Sequence, residues 1–206
     1  IEAGGKNGII EADEVTTDYV RQRTDVPYKI YHSDEDAKYF FKKTYNADEM
    51  EPIVAKPHSP DNKANVSDCV DVKLDRAYIG SCTGGKLTDF RAAARLLKGK
   101  KVLIDTFIVP ATREVEQDLH KEKIDGETLM DIFKNAGAYL GDPSCAACLG
   151  GPKDTFGRAG DNQVVISTTN RNFPGRMGSK QSHVYLASPY TAAASALTGH
   201  ITNPAD

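Results

Sequence analysis

Tryptophan is absent, and only four cysteines occur in 206 residues. So low a thiol density excludes a disulfide-stapled secreted domain. It points instead to a reducing compartment, the cytoplasm or, in a plant or alga, an organelle stroma. No apolar run approaches the roughly 20 residues that a membrane-spanning helix needs. No basic segment leads into an apolar one, so no secretory leader is expected. Positive charge is not in excess: 26 Lys and Arg stand against 29 Asp and Glu, and the net charge is −3. That balance offers no footprint for nucleic acid or an anionic membrane. Internal repeats and low-complexity tracts are also missing. So is an initiating methionine. The chain opens IEAGGKNGII, glycine turn chemistry that normally follows a strand, and reads as the interior of a longer protein.

The length suits one large domain or two small ones, either able to bury a core. Residues 12–23 carry acids early and bases late, as a helix dipole favours. Residues 33–46 follow the same pattern, with Ser33 as N-cap. The stretch AKPHSPDNKANVSD, 55–68, is rich in Pro, Asn, Asp and Ser and reads as a linker. The division expected is therefore 1–65, the end of a preceding α/β domain plus linker, and 66–206, a further α/β domain. Beyond the linker, strands and helices alternate. Strands are expected at 76–82, 101–110, 162–169 and 183–188. Helices are expected at 87–100, 112–121, 125–137 and 190–200. In 87–100, Phe90, Ala93, Ala94 and Leu97 share one face. This rhythm implies an α/β class, a three-layer α/β/α arrangement with a mostly parallel sheet.

Ligands of such sheets bind beyond the carboxyl ends of the strands. Three loops there carry unusual chemistry: GSCTGGK, DPSCAACLGG and TTNRNFPGRMG. The first holds Cys82 before a Gly-Gly turn into a helix. The second holds Cys145 and Cys148 as C-x-x-C. Cys69, in VSDCVD, has no companion ligand and reads as an ordinary small residue. Several readings of the other three thiols stand side by side. A structural zinc site wants four ligands, and only one pair exists. A thioredoxin-type pair follows a strand, and AYLGDPSC is a poor one. Two buried cysteines by coincidence is the plain alternative. Three thiolates also suit an iron–sulfur cluster with one iron lacking cysteine, since clusters normally take four. An open iron acts as a Lewis acid.

The third loop places Arg171 and Arg176 across a Pro-Gly turn. Two guanidinium groups in one loop can grip two carboxylates bidentately, and Asn170 and Asn172 add neutral donors and acceptors. A solvated basic loop is the alternative. None of the five histidines has a clear role. His120 and His200 read as solvated.

IGSCTGGKLTDFRAAA, PSCAACLGGPKDTFGR, STTNRNFPGRMGS and YLASPYTAAASALTG resemble, in order, the aconitase superfamily, and within it the large subunits of 3-isopropylmalate dehydratases (isopropylmalate isomerases). IEAGGKNG and AKPHSPDN resemble the same family, so the likeness covers nearly the whole chain. One departure is SCTGGK, where many members read SCTNGR. The resemblance implies an aconitase-like iron–sulfur domain, with a [4Fe–4S] cluster held by Cys82, Cys145 and Cys148. It also implies substrate carboxylates bound by Arg171 and Arg176, Asn170 hydrogen-bonding near the cluster, and Glu2 as an acid handling the hydroxyl or water. The reaction implied is interconversion of 2-isopropylmalate and 3-isopropylmalate by dehydration and rehydration, in leucine biosynthesis. A small, swivel-domain subunit would be the partner, and a di- or tricarboxylate the substrate. The chain resembles the C-terminal half of a large subunit, and by itself is expected to be inactive. Two other readings stand beside this one. One is homoaconitase or a related 2-hydroxyacid dehydratase. The other is a non-catalytic module whose thiols hold zinc.

Overall fold

The sequence TDYVRQR continues from an acidic start into a short helix, α1 (Glu14–Arg21), whose N-cap Asp13 accepts the Thr16 N–H at 2.8 Å. The structure, a computed structural model, describes residues 6–206. Residues 6–50 and 51–206 fall in separate compact units. In the first unit no described residue is buried. The helix expected over 33–46 is absent there: the segment is irregular and leads to a 3-10 turn at Ala47–Glu49. Phe40 and Phe41 stand exposed, so no buried apolar face favours a helix over this stretch.

The second unit begins at Glu51, ahead of the expected boundary. The stretch read as a linker folds into the sheet. Strand β1 (Ile53–Ala55) pairs antiparallel with β2 (Lys63–Asn65), Val54 opposite Ala64, and Val54 is fully buried. Strands of three residues are too short for an alternation to show, so the Pro- and Asn-rich turn between them dominates the pattern.

Next come β3 (Arg76–Gly80), a four-residue helix α2 (Ser81–Gly84), α3 (Leu87–Leu97) and β4 (Asp105–Val109). They lead into α4 (Arg113–Leu119), a small hairpin of β5 (Lys123–Ile124) and β6 (Glu127–Thr128), and α5 (Leu129–Ala136). The chain closes with β7 (Tyr139–Leu140), β8 (Val164–Ser167), β9 (His183–Leu186) and α6 (Pro189–Thr198). Ser188 caps α6 by accepting the Thr191 N–H at 3.2 Å, and Pro189 occupies the first turn, where no N–H is needed.

The seven-stranded sheet runs in the order β2-β1-β9-β8-β3-β4-β7. From β9 to β7 all pairs are parallel, while β1 is antiparallel to both neighbours. The chain winds outward from β3 through β4 to β7, then returns to lay β8 on the other side of β3. The direction of winding reverses between β3 and β8, and this is where an open α/β sheet binds ligands.

Period-two alternation sorts the strand side chains. Ala77, Ile79, Ile108 and Ile166 face a core shared with Phe90 and Leu97 of α3, Phe133 of α5 and Ala193 of α6. Phe90 and Phe133 meet edge to face at 5.8 Å, worth about 0.5–1.5 kcal/mol beyond their burial. Tyr78, Phe107, Val109, Val165 and Val184 face the other way, onto Ala147, Ala159 and Met177. The α/β class and mostly parallel sheet expected from sequence are present. The third layer is irregular chain with one 3-10 turn, Ala147–Leu149.

Candidate functional site

At the reversal point β3 ends in Gly80, and the chain enters α2 through Ser81. Ser81 is fully buried at φ 63°. A non-glycine residue in the left-handed region is strained, and surrounding contacts must hold it. Two contacts do so. The Ser81 hydroxyl lies 2.7 Å from the Tyr78 hydroxyl. Thr168, just past β8, accepts the Gly80 N–H at 2.9 Å and donates to the Gly84 carbonyl at 3.3 Å. A Cβ on Gly84 would fall 2.2 Å from the Thr168 Oγ1, so only glycine fits there. Cys82 follows Ser81 and is exposed.

The other two cysteines lie past β7. The Gly141 N–H donates to Ile108 at 3.0 Å and the Ser144 N–H to Pro110 at 3.3 Å. These bonds fasten the loop to the end of β4. Cys145 is half-buried, and Cys148 sits buried in the 3-10 turn. All four cysteines are free thiols.

The three site cysteines share one place. The Cys82 side chain and backbone both act on the Cys145 thiol, and Cys82, Cys145 and Cys148 each act electrostatically on Tyr78. Burial pushes the Cys145 thiol up to about 11, helped by the hydrogen bond that it donates to the Cys82 sulfur. Burial likewise pushes the Tyr78 hydroxyl upward, and the three neighbouring thiols add to it. Among the described residues, no three Cys, His, Asp or Glu side chains gather closely enough for a single metal ion. A closed zinc site, with sulfurs about 2.3 Å from one centre, is therefore not preformed. Cys69 lies elsewhere, 5% exposed in the core beneath the helices. Burial raises its thiol too.

The arginine loop is docked on the cysteine loop by backbone. Gly150 has φ 71°, and a Cβ there would fall 2.6 Å from the Gly175 carbonyl oxygen. Below it the Ala159 N–H donates to Met177 at 2.8 Å and the Ser179 N–H to Ala159 at 3.0 Å. Arg176 is half-buried, its guanidinium carbon 5.5 Å from the Phe173 ring centroid. Its Nε is buried without a partner, a donor awaiting an acceptor. Asn170 and Arg171 are half-buried, and both are engaged by neighbours. Asn172 is a strut. Its buried amide donates to Lys56 and Val184 at 2.9 Å each, tying the loop to the ends of β1 and β9. Glu2 lies outside the described residues.

The His58 and His183 rings meet at a 40° tilt with centroids 5.3 Å apart, while His120 is exposed beyond α4. Two features here escape a reading of sequence. Thr168 and the Tyr78–Ser81 pair look like ordinary strand-end residues. Only the register, Tyr78 opposite Ser167, brings them together.

Comparison with known proteins identifies the family. A family model described as Aconitase family (aconitate hydratase) matches residues 65–199. The chain is 53% identical to the chloroplastic 3-isopropylmalate dehydratase large subunit of Arabidopsis thaliana, over 99% of this chain and 41% of that protein. It is 45% identical to 3-isopropylmalate dehydratase large subunit 1 of Pyrococcus abyssi and 47% identical to the large subunit of Heliobacterium modesticaldum. Each match covers 99% of this chain and 47% of the relative. The chain thus spans less than half the length of these relatives. With its family model matched across the cysteine and arginine loops, the chain belongs to the aconitase family.

Proposed function

We propose that this chain supplies the cluster-binding part of a hydro-lyase that interconverts 2-isopropylmalate and 3-isopropylmalate by dehydration and rehydration, in leucine biosynthesis. The observation that carries this reading is the meeting of Cys82, Cys145 and Cys148 around Tyr78, with the arginine loop docked on the cysteine loop.

The donor set fits an iron–sulfur cluster. Thiolates are the soft ligands such clusters take. The Cys145 thiol is hydrogen-bonded to Cys82, and all three thiols act on Tyr78, so they lie near one another. The remaining cysteine is locked in the opposite core, so three thiolates serve a cluster that ordinarily takes four. A [4Fe–4S] cluster with one iron free of cysteine supplies, when bound, a Lewis acid for a departing hydroxyl.

The residues of this chain do the rest of what is proposed here. Arg171 and Arg176 bind the carboxylates of the substrate, and the unpartnered Arg176 Nε provides one donor for them. Asn170 hydrogen-bonds beside the thiols. Glu2 carries a proton to or from the hydroxyl or water. The base that removes the proton next to a carboxylate, and the discrimination of the substrate side chain, come from a separate small subunit. The chain is then inactive alone.

The test is iron and acid-labile sulfide analysis after anaerobic reconstitution of the intact large subunit. Cys82→Ser, Cys145→Ser and Cys148→Ser each lose iron, and Cys69→Ala retains it. Zinc without sulfide, or equal iron in all four variants, refutes the assignment. Turnover by this chain with the small subunit alone refutes its inactivity.

A further inference from the structure

The chemistry proposed above leaves Tyr78 and Ser81 without a role. Both side chains are fully buried, and their oxygens lie 2.7 Å apart. Each hydroxyl carries one proton. One proton makes the bond between them. The second finds no acceptor among the described residues. Each oxygen is satisfied by the other, which leaves one O–H of the pair free to donate to an acceptor that arrives with a ligand.

The surroundings indicate which acceptor. Ser81 directly precedes Cys82, and all three site cysteines lie close enough to act on Tyr78. Ser81 is held at φ 63°, a conformation that persists only where neighbours fix it. The Gly80 N–H and the Gly84 carbonyl on either side of it are both bound to Thr168, so the hydroxyl pair rests on a fixed backbone.

We propose that Tyr78 and Ser81 are positioning residues that hold one O–H for a sulfur of the cluster. This rests on the cluster reading given above. Hydrogen bonds to the sulfurs are among the factors that set the reduction potential of an iron–sulfur cluster. A donor stabilises the more negative, reduced state, so the pair raises the potential. Without it the cluster is easier to oxidise.

The experiment uses the intact large subunit with its small subunit, reconstituted anaerobically. Tyr78→Phe deletes the hydroxyl and keeps the ring. The expected result is unchanged iron and sulfide, a lower midpoint potential, a changed electron paramagnetic resonance spectrum of the reduced cluster, and several-fold faster iron loss in air. Ser81→Gly removes the other hydroxyl and suits the left-handed backbone. It shifts the potential in the same direction even if Tyr78→Phe fails to fold. The double variant shifts it no further than one single variant, because the two hydroxyls act as one donor. An unchanged potential and spectrum in a fully loaded variant overturn the inference. Wild-type protein that takes up no iron and sulfide overturns the cluster reading itself, and this inference with it.

Discussion

Replacing Thr168 by valine tests how the end of β8 holds the Cys82 turn. The shape is kept and one hydroxyl is lost. That hydroxyl accepts from the Gly80 N–H and donates to the Gly84 carbonyl, both buried. Each group left unsatisfied costs about 1–3 kcal/mol. The 3.3 Å bond to Gly84 is the weaker of the two, so the total is about 3 kcal/mol. For a domain of this size that lowers the melting temperature by ~6–12 °C. No solvent reaches the site to substitute, because Gly84 leaves no space beside Thr168. Urea unfolding followed by circular dichroism reads the loss as a lower midpoint at constant slope. Thr168→Ser is the control. It keeps the hydroxyl, loses one methyl group, and costs about 1 kcal/mol. Valine within ~0.5 kcal/mol of wild type, an ordinary surface-substitution effect, refutes the reasoning. Serine as damaging as valine does so too.

Two other expectations concern the cysteine loop. Gly150→Ala forces a side chain into the left-handed region, at about 1–2 kcal/mol. It also drives a Cβ against the Gly175 carbonyl, so hydrogen exchange over 174–180 accelerates; unaltered exchange there counts against backbone docking of the two loops. The Cys145 thiol, pushed up to about 11 in the folded metal-free chain, deprotonates near 8.5 when unfolded. Folded and unfolded chains both hold that proton below pH 8.5. Between there and about 11 only the unfolded chain releases it, so stability falls as pH rises. Urea midpoints of the metal-free chain decline across that window, and Cys145→Ser flattens the decline. An equal decline in the variant assigns the effect elsewhere.

How legible these features are in the sequence depends on the length over which they are written. Helices α3 and α5 and strands β3, β4 and β8 carry apolar spacing and form within the expected stretches, although the start of the helix expected over 125–137 is a hairpin and 101–104 of the strand expected over 101–110 lie outside it. The edge strands β1, β2 and β7 have two or three residues apiece, so no alternation can develop before a Pro, Gly or Asn interrupts it. Residues 33–46 mislead in the opposite sense. Their charge order suits a helix, but Tyr39, Phe40 and Phe41 are consecutive, and consecutive residues do not share a helix face. At the site, C-x-x-C and the paired arginines announce themselves by composition. The roles of Asn172 and Thr168 do not, because each depends on at least one partner more than about 80 residues distant, Lys56 and Gly80 respectively.

The sheet works as a partition. Helices α3, α5 and α6 and the large aliphatic core lie on one side, with Cys69 sealed among them. The three site thiols and the two docked loops belong to the other side, where a smaller core around Tyr78, Phe107 and Met177 is covered by irregular chain in close backbone contact. Robustness and reactivity are therefore housed in separate compartments of one polypeptide. Drift or deliberate repacking beneath the helices leaves the cysteine-bearing face its shape, whereas a single added methyl group at Gly84 or Gly150 strikes Thr168 or the Gly175 carbonyl directly.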